Sequence, residues 1–319
     1  SLVLNNVQLK FCDENRIYNK VLNKLLALSV PILPKWFVEL FSKSYVAGYN
    51  SKEVLSIVKE LNNKGFSATI DILGEHVSDL DIAEKITKEY CDLYEKIYQD
   101  SIDSNISIKP SHIGLDISEE VVLNNFQKIL KKAKKHSNFL RIDMESSRST
   151  DITFKIYDQL KSTYSDTGVV LQAYLRRSLE DIESLGSAKF NARICKGIYQ
   201  ENSKIAIKDS EKIRVNFLKM AKLMSEKKSY ACYATHDQHL IDSLLDMIKK
   251  YNVDSSTFEF QVLYGVPMNG RLEELLSLGY KVRVYVPFGP DWYDYSLRRL
   301  KENPDIAGYV LKNLFSKNS

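Results

Sequence analysis

Three observations predict an α/β fold of the (β/α)8 type. Short segments rich in β-branched and aromatic residues follow one another from residue 67, helical patterns separate them, and they recur at spacings of 23 to 39 residues. That alternation is the signature of βαβ units building a parallel sheet. Eight candidate strands are read: Ser67–Glu75, Asn105–Ile113, Phe139–Ser146, Gly168–Leu175, Asn191–Tyr199, Tyr230–Asp237, Phe258–Pro267 and Lys281–Gly289. Several are almost continuously apolar, as strands buried on both faces are. A doubly wound open sheet fits less well, because neither a GxGxxG nor a P-loop pattern follows any strand.

Residues 1–49 precede the first strand and are expected to form helices packed outside the barrel; residues 50–319 form the barrel. After the first strand, Ser78 is the expected cap of a helix with Ile82, Ile86, Tyr90, Leu93 and Ile97 on one stripe. Ser118 opens the next, carrying Val122, Phe126, Ile129, Leu130 and Ala133. A short helix over Leu179–Leu185 stops at Gly186, and apolar stripes continue through Ile213–Met224, Leu240–Ile248 and Leu272–Leu278. The last helix, from Trp292, is unusually polar in its first half.

The chain has 319 residues, 44% hydrophobic and 27% charged, which excludes a disordered, collagenous or coiled-coil protein. Its net charge of +4 is too small and dispersed to argue for nucleic acid. Cys12, Cys91, Cys195 and Cys232 include no CxxC pair and make no disulfide framework, so a reducing, cytoplasmic compartment is expected. Leu25–Pro34 is uncharged but half the length of a membrane span and contains two prolines. The histidines are scattered, and none stands in a metal-binding pattern.

In such barrels chemistry sits at the C-terminal ends of the strands. Those ends carry Asp71 and Glu75, Lys109, Asp143 and Glu145, Gln172, Arg193 and Lys196, Thr235 to Asp237, Gln261, and Tyr285. A charged side chain inside an apolar strand is costly unless partnered. Each alone reads as a salt bridge across the mouth; several on different strands at one end favour an anionic ligand. On the terminal helix Arg298 and Arg299 are followed by Glu302 at helical spacing. They form either a solvated ion pair or a carboxylate clamp, since guanidinium forks match carboxylates bidentately. The helix alone does not choose between these.

Taken together the segments LGE at 73–75, IKPSHIGLDI at 108–117, LRIDMES at 140–146, VLQAYL at 170–175, RICKGIYQE at 193–201, ATHD at 234–237, FQVLYGVP at 260–267, VYVPFG at 284–289 and YSLRRLKENP at 295–304 resemble the proline dehydrogenases. The resemblance covers nearly everything beyond residue 50, in the family's order. It implies a distorted barrel with non-covalent FAD at the C-terminal mouth, and a final helix lying over that mouth. It also implies oxidation of L-proline to 1-pyrroline-5-carboxylate by hydride transfer to flavin N5. By the same resemblance, Arg298 and Arg299 hold the proline carboxylate with Lys109, while Glu302 aligns the Arg pair. Arg193 lies near flavin N5, and Asp143 orders flavin and substrate. Met144, Gln172, Lys196, Gly197, Ile198, Thr235 and His236 line the cofactor. Tyr285 and Leu263 pack on the substrate ring, and the bulk of Tyr285 disfavours 4-hydroxyproline.

Pro110 and Ile198 depart from the commoner family residues, and Ile198 bears on the shape of the cofactor pocket. The length implies a monofunctional enzyme whose product passes to a separate pyrroline-5-carboxylate dehydrogenase. Its electrons pass to a quinone, with peripheral contact at the inner face of the membrane; Leu25–Pro34 is a candidate contact, though a helix packed on the barrel is the favoured use of that stretch. Three rivals remain at this point: a flavoenzyme for another cyclic amino acid, a flavin-free lyase using Lys109 as a Schiff base, and a non-catalytic barrel.

Overall fold

The computed structural model describes residues 35–302, without the side chains of 36, 37, 40, 41 and 300–302. Leu25–Pro34 therefore lies outside the described residues. The chain divides into two compact units, one comprising residues 47–289 and the other drawing on both flanks.

The larger unit is the expected barrel. Its strands β1 (Ser67–Ile72), β2 (Ser104–Ile108), β3 (Leu140–Ile142), β4 (Thr167–Gln172), β5 (Asn191–Cys195), β6 (Tyr230–Ala234), β7 (Phe258–Leu263) and β8 (Val282–Phe288) close in sequence order. Every neighbouring pair is parallel, including β1 with β8. In the flanking unit, α1 (Lys35–Ser42) and the terminal helix pack together, with the Lys35 Nζ 5.9 Å from the Tyr293 ring centre. In the barrel unit α2 (Ser51–Asn63) precedes β1. The connecting helices are α3 (Leu80–Gln99), α4 (Glu119–Lys135), α5 (Thr150–Thr163), α6 (Ser178–Leu185), α7 (Ser210–Glu226), α8 (Gln238–Tyr251) and α9 (Arg271–Ser277). The terminal helix is α10 (Trp292–Glu302).

Register sorts the strand residues into two sets. Ile70 pairs with Ile106, Leu171 with Ile194, Ile194 with Tyr233, and Tyr233 with Phe260. All are buried in the apolar core and face the helices. The alternate residues point inward, and that set is polar. Thr69 pairs with Asn105, Ser107 with Arg141, Arg193 with Cys232, Cys232 with Glu259, and Gln261 with Arg283. Barrel interiors are usually filled by branched apolar side chains; this one is filled by hydrogen-bonding groups.

Four details differ from the sequence reading. The strands end one to five residues earlier, because the polar tails belong to loops. After β1, for instance, Gly74 has φ +149°, and after β2 Pro110 opens a 3-10 turn over Pro110–Ile113. Asp79, not Ser78, caps α3 by accepting from the Ile82 N–H. Helix α5 was not expected: Thr150, Ile152, Thr153 and Ile156 are β-branched and blur the helical signal. Nor was α2, which Asn50 caps. Ser118 does cap α4, and α6 does end at Gly186.

Candidate active site

The inward set converges near the C-terminal ends of the strands. Asp143, directly after β3, takes its Oδ1 bonds from Ser107 Oγ at 2.5 Å and Arg193 Nη1 at 2.7 Å. Its Oδ2 accepts from the Tyr285 hydroxyl at 2.9 Å. These partners stand on β2, β5 and β8, so the bonds cross the barrel interior. Arg193 donates its Nε to Gln261 Oε1 at 2.6 Å, and its guanidinium lies 4.8 Å from the Tyr285 ring centre. Its Nη2 is buried with no hydrogen-bond partner. A buried guanidinium with one nitrogen left unpartnered is a place for an acceptor from outside the chain.

Charge is balanced locally. Burial alone would raise the Asp143 carboxyl, but Arg193 and Lys109, with the Ser107 and Tyr285 hydrogen bonds, bring it below its ordinary value. Lys109 donates to both oxygens of Asp71, at 3.0 and 2.8 Å. Burial opposes its charge, yet Asp71, Asp143 and Glu145 together raise the Lys109 pKa, so the amine stays an ammonium. Asp71, with burial and Asp143 against it, is left raised. Beside this pair, Glu145 accepts from both the N–H and the hydroxyl of Ser111.

A second cluster surrounds the loops after β5 and β6. Lys196 Nζ and Arg214 Nε share Asp237 Oδ2, each at 2.5 Å. Burial raises the Asp237 carboxyl, but the bonds from Lys196 and Arg214 outweigh it and bring it to about 2. Asp237 also caps α8 through the Leu240 N–H. Gly197 has φ +105°, and a Cβ there would lie 2.1 Å from Tyr174 Cδ1, so only glycine fits. The His236 Nε2 accepts from the Leu263 N–H at 2.8 Å, tying β6 to β7.

The family model for proline dehydrogenase matches residues 54–311. Proline dehydrogenase 1 of Bacillus subtilis (strain 168) is 37% identical over 278 residues, 87% of this chain and 92% of the relative. The chain belongs to the proline dehydrogenase family. The proline dehydrogenase of Deinococcus radiodurans is 31% identical over 278 residues, 86% of this chain and 89% of that one. A crystal structure of proline utilization A from Bdellovibrio bacteriovorus, inactivated by N-propargylglycine, superposes with a TM-score of 0.76 at 22% identity. It covers 82% of this chain, which spans only 32% of that longer one, and it attests the barrel fold.

Within this proline dehydrogenase barrel the expected residues separate by location. Lys109, Asp143, Arg193 and Tyr285 share one hydrogen-bonded cluster. Met144 and Gln172 are buried beside it, and the Gln172 Nε2 donates to the Glu145 carbonyl. Lys196, Gly197, Thr235, His236 and Leu263 are on the loops and strand ends next to it; Ile198 is 58% exposed. Arg298 and Arg299 are on α10 of the flanking unit, where the Arg299 guanidinium lies 5.3 Å from the Tyr295 ring centre. The Glu302 side chain lies outside the described residues.

Sequence reading missed Ser107, Arg214, Glu259 and Arg283. A signal existed for three of them. Ser107, Glu259 and Arg283 each stand two residues before a noted strand-end residue, on the same inward face. Arg214 lies on a helix and carries no such mark.

Proposed function

We propose that this enzyme oxidises L-proline to 1-pyrroline-5-carboxylate with non-covalent FAD bound at the C-terminal mouth of the barrel. The observation that carries the reading is Arg193: a buried guanidinium held from two sides, with Nη2 still lacking an acceptor. The residues fit a flavin, because Arg193 keeps a buried nitrogen without an acceptor and Lys196 with Arg214 offers cations for a diphosphate. When bound, the cofactor supplies acceptance of hydride at N5 from the proline carbon beside nitrogen.

The chain's own residues do the rest. Arg193 donates toward the place where negative charge builds on reduction, and Asp143 and Tyr285 keep it there. Asp143 also helps order cofactor and substrate. Met144, Gln172, Ile198, Thr235 and His236 complete the cofactor's surroundings. Lys109 takes part in binding the proline carboxylate, and the family resemblance assigns Arg298 and Arg299 to the same carboxylate. Tyr285 and Leu263 bound the ring and leave no room for a 4-hydroxyl. Electrons pass to a quinone, with peripheral membrane contact, and a separate dehydrogenase takes the product. Among the described residues no helix is long and apolar enough to cross a membrane.

Lys109 as a Schiff-base nucleophile is disfavoured, because that chemistry needs a neutral amine and Asp71 keeps this one charged. The deciding experiment is the anaerobic visible spectrum of the purified protein with and without L-proline. Oxidised-flavin bands that bleach with L-proline but not with trans-4-hydroxyproline are expected. Bands that persist with L-proline overturn the substrate, and their absence after FAD is supplied overturns the cofactor. For the clamp, Arg298→Lys should raise the KM for proline with flavin content unchanged, and equal loss of both would overturn the assignment.

A further inference from the structure

Arg193 is reached by a polar chain that the reaction chemistry alone does not require. Running through the barrel interior, Arg283 Nε donates to Glu259 Oε1 at 2.7 Å, and Gln261 Nε2 donates to the same oxygen at 2.6 Å. Gln261 Oε1 then accepts from Arg193 Nε at 2.6 Å. Arg193, Glu259 and Gln261 are all at least 94% buried. An amide could in principle sit either way round, but the chemistry of its neighbours permits one orientation. Arg193 Nε can only donate, so the Gln261 atom facing it is oxygen. An ionised Glu259 can only accept, so the atom facing it is nitrogen.

Glu259 is equipped to stay ionised. Burial opposes its charge, but Arg283 and Lys281 bring its carboxyl down to about 2. Its other oxygen accepts from the Tyr230 hydroxyl at 3.1 Å, and Arg283 Nη1 is satisfied by the Ala68 carbonyl at 2.6 Å. The pair is thus closed on itself and presents one acceptor to Gln261.

We propose that Gln261 is a positioning residue for Arg193, with its amide orientation locked by the buried Glu259–Arg283 pair. By occupying Nε it leaves Nη1 for Asp143 and directs Nη2 to the ligand. It does so without charge. A carboxylate at this position would give Arg193 a second counter-ion beside Asp143 and cancel the positive field that favours electron arrival. The inward series is cation, anion, neutral amide, cation, anion: Arg283, Glu259, Gln261, Arg193, Asp143. The inference rests on the reading that Arg193 faces the flavin.

The test is Gln261→Met, which keeps length and volume and removes both hydrogen bonds, measured as holoenzyme beside Arg193→Lys. For Gln261→Met, kcat should fall about tenfold, equivalent to ~1.4 kcal/mol of barrier. KM for proline and flavin content should stay within about twofold, the pattern of a contribution made in the transition state. The midpoint potential of the bound flavin should become more negative, as it should in Arg193→Lys. An unchanged kcat and potential in Gln261→Met, with both altered in Arg193→Lys, overturns the positioning role alone. An unchanged potential in both variants overturns the placement of Arg193 at the flavin. If Gln261→Met does not fold, Gln261→Asn keeps an amide for Glu259 but falls short of Arg193. The same kcat and potential criteria then apply to Gln261→Asn.

Discussion

Asp143 illustrates how a single buried carboxylate is made useful. Left alone it would protonate or unfold its surroundings, since an unpaired buried charge costs several kcal/mol. Here three donors from three strands satisfy it and keep it ionised. The contributions are separable by substitution. Tyr285→Phe deletes one donor to the ionised Asp143 while keeping the ring beside Arg193, so it should cost ~1.5–3 kcal/mol of stability. Thermal unfolding of the two proteins checks this, and a loss beyond that range would mean the phenol does more than donate. That Asp143, Arg193 and Tyr285 belong together was legible from the family resemblance, and their burial from the apolar strands around them. Their individual partners were not, because a sequence shows which residues are polar and not which way each donor points.

Four of the seven connecting helices are anchored by the residue just before them. Asp79, Ser118, Asp209 and Asp237 each accept a backbone N–H at the start of α3, α4, α7 and α8. An ordinary cap of this kind is worth ~1 kcal/mol, so Ser118→Ala should lower the unfolding free energy from urea titration by about that amount and leave flavin binding untouched. Asp237→Ala should do both kinds of damage, because Asp237 also gathers Lys196 and Arg214 at one oxygen. Measured flavin affinity should therefore fall in Asp237→Ala and not in Ser118→Ala. Equal affinities would separate this cluster from the cofactor. At this scale Ser118 was readable because it stands alone before an apolar stripe. Asp79 was displaced by one residue because Ser78 beside it has the same capping chemistry. Helix α5 escaped because its β-branched residues suit either a helix or a strand.

Over the whole molecule, stability carries the mark of groups held in one protonation state. His112 is buried between Tyr90, whose hydroxyl lies 3.1 Å from its Nδ1, and Gly74, and it sits near the Lys109 ammonium. Burial first, and then the Lys109 charge, push its pKa down to about 3. The folded protein therefore binds this proton less readily than the unfolded chain, whose histidine titrates near 6.5. The associated stability is fully present above pH ~6.5 and declines as pH falls from there toward 3, by up to ~1.4 kcal/mol per pH unit. Melting temperatures of the native protein and His112→Phe between pH 4.5 and 7 should show a shallower acid decline in the variant. Parallel curves would assign the decline to other groups.

The sequence by itself determined the alternation of strand and helix, the polar residues at the strand ends, and the family resemblance that names their chemistry. Those are local or ordered properties, written as periodicity and as short segments in series. Only the tertiary structure decided the pairings inside the barrel. Arg193 meets Asp143, Gln261 and Ser107 across 50, 68 and 86 positions of chain. No local pattern encodes such distances. They are set when β1 closes on β8 and the common register turns every second residue of all eight strands toward one axis. There, burial leaves each charged group to pair with another of the inward set or with a strand carbonyl.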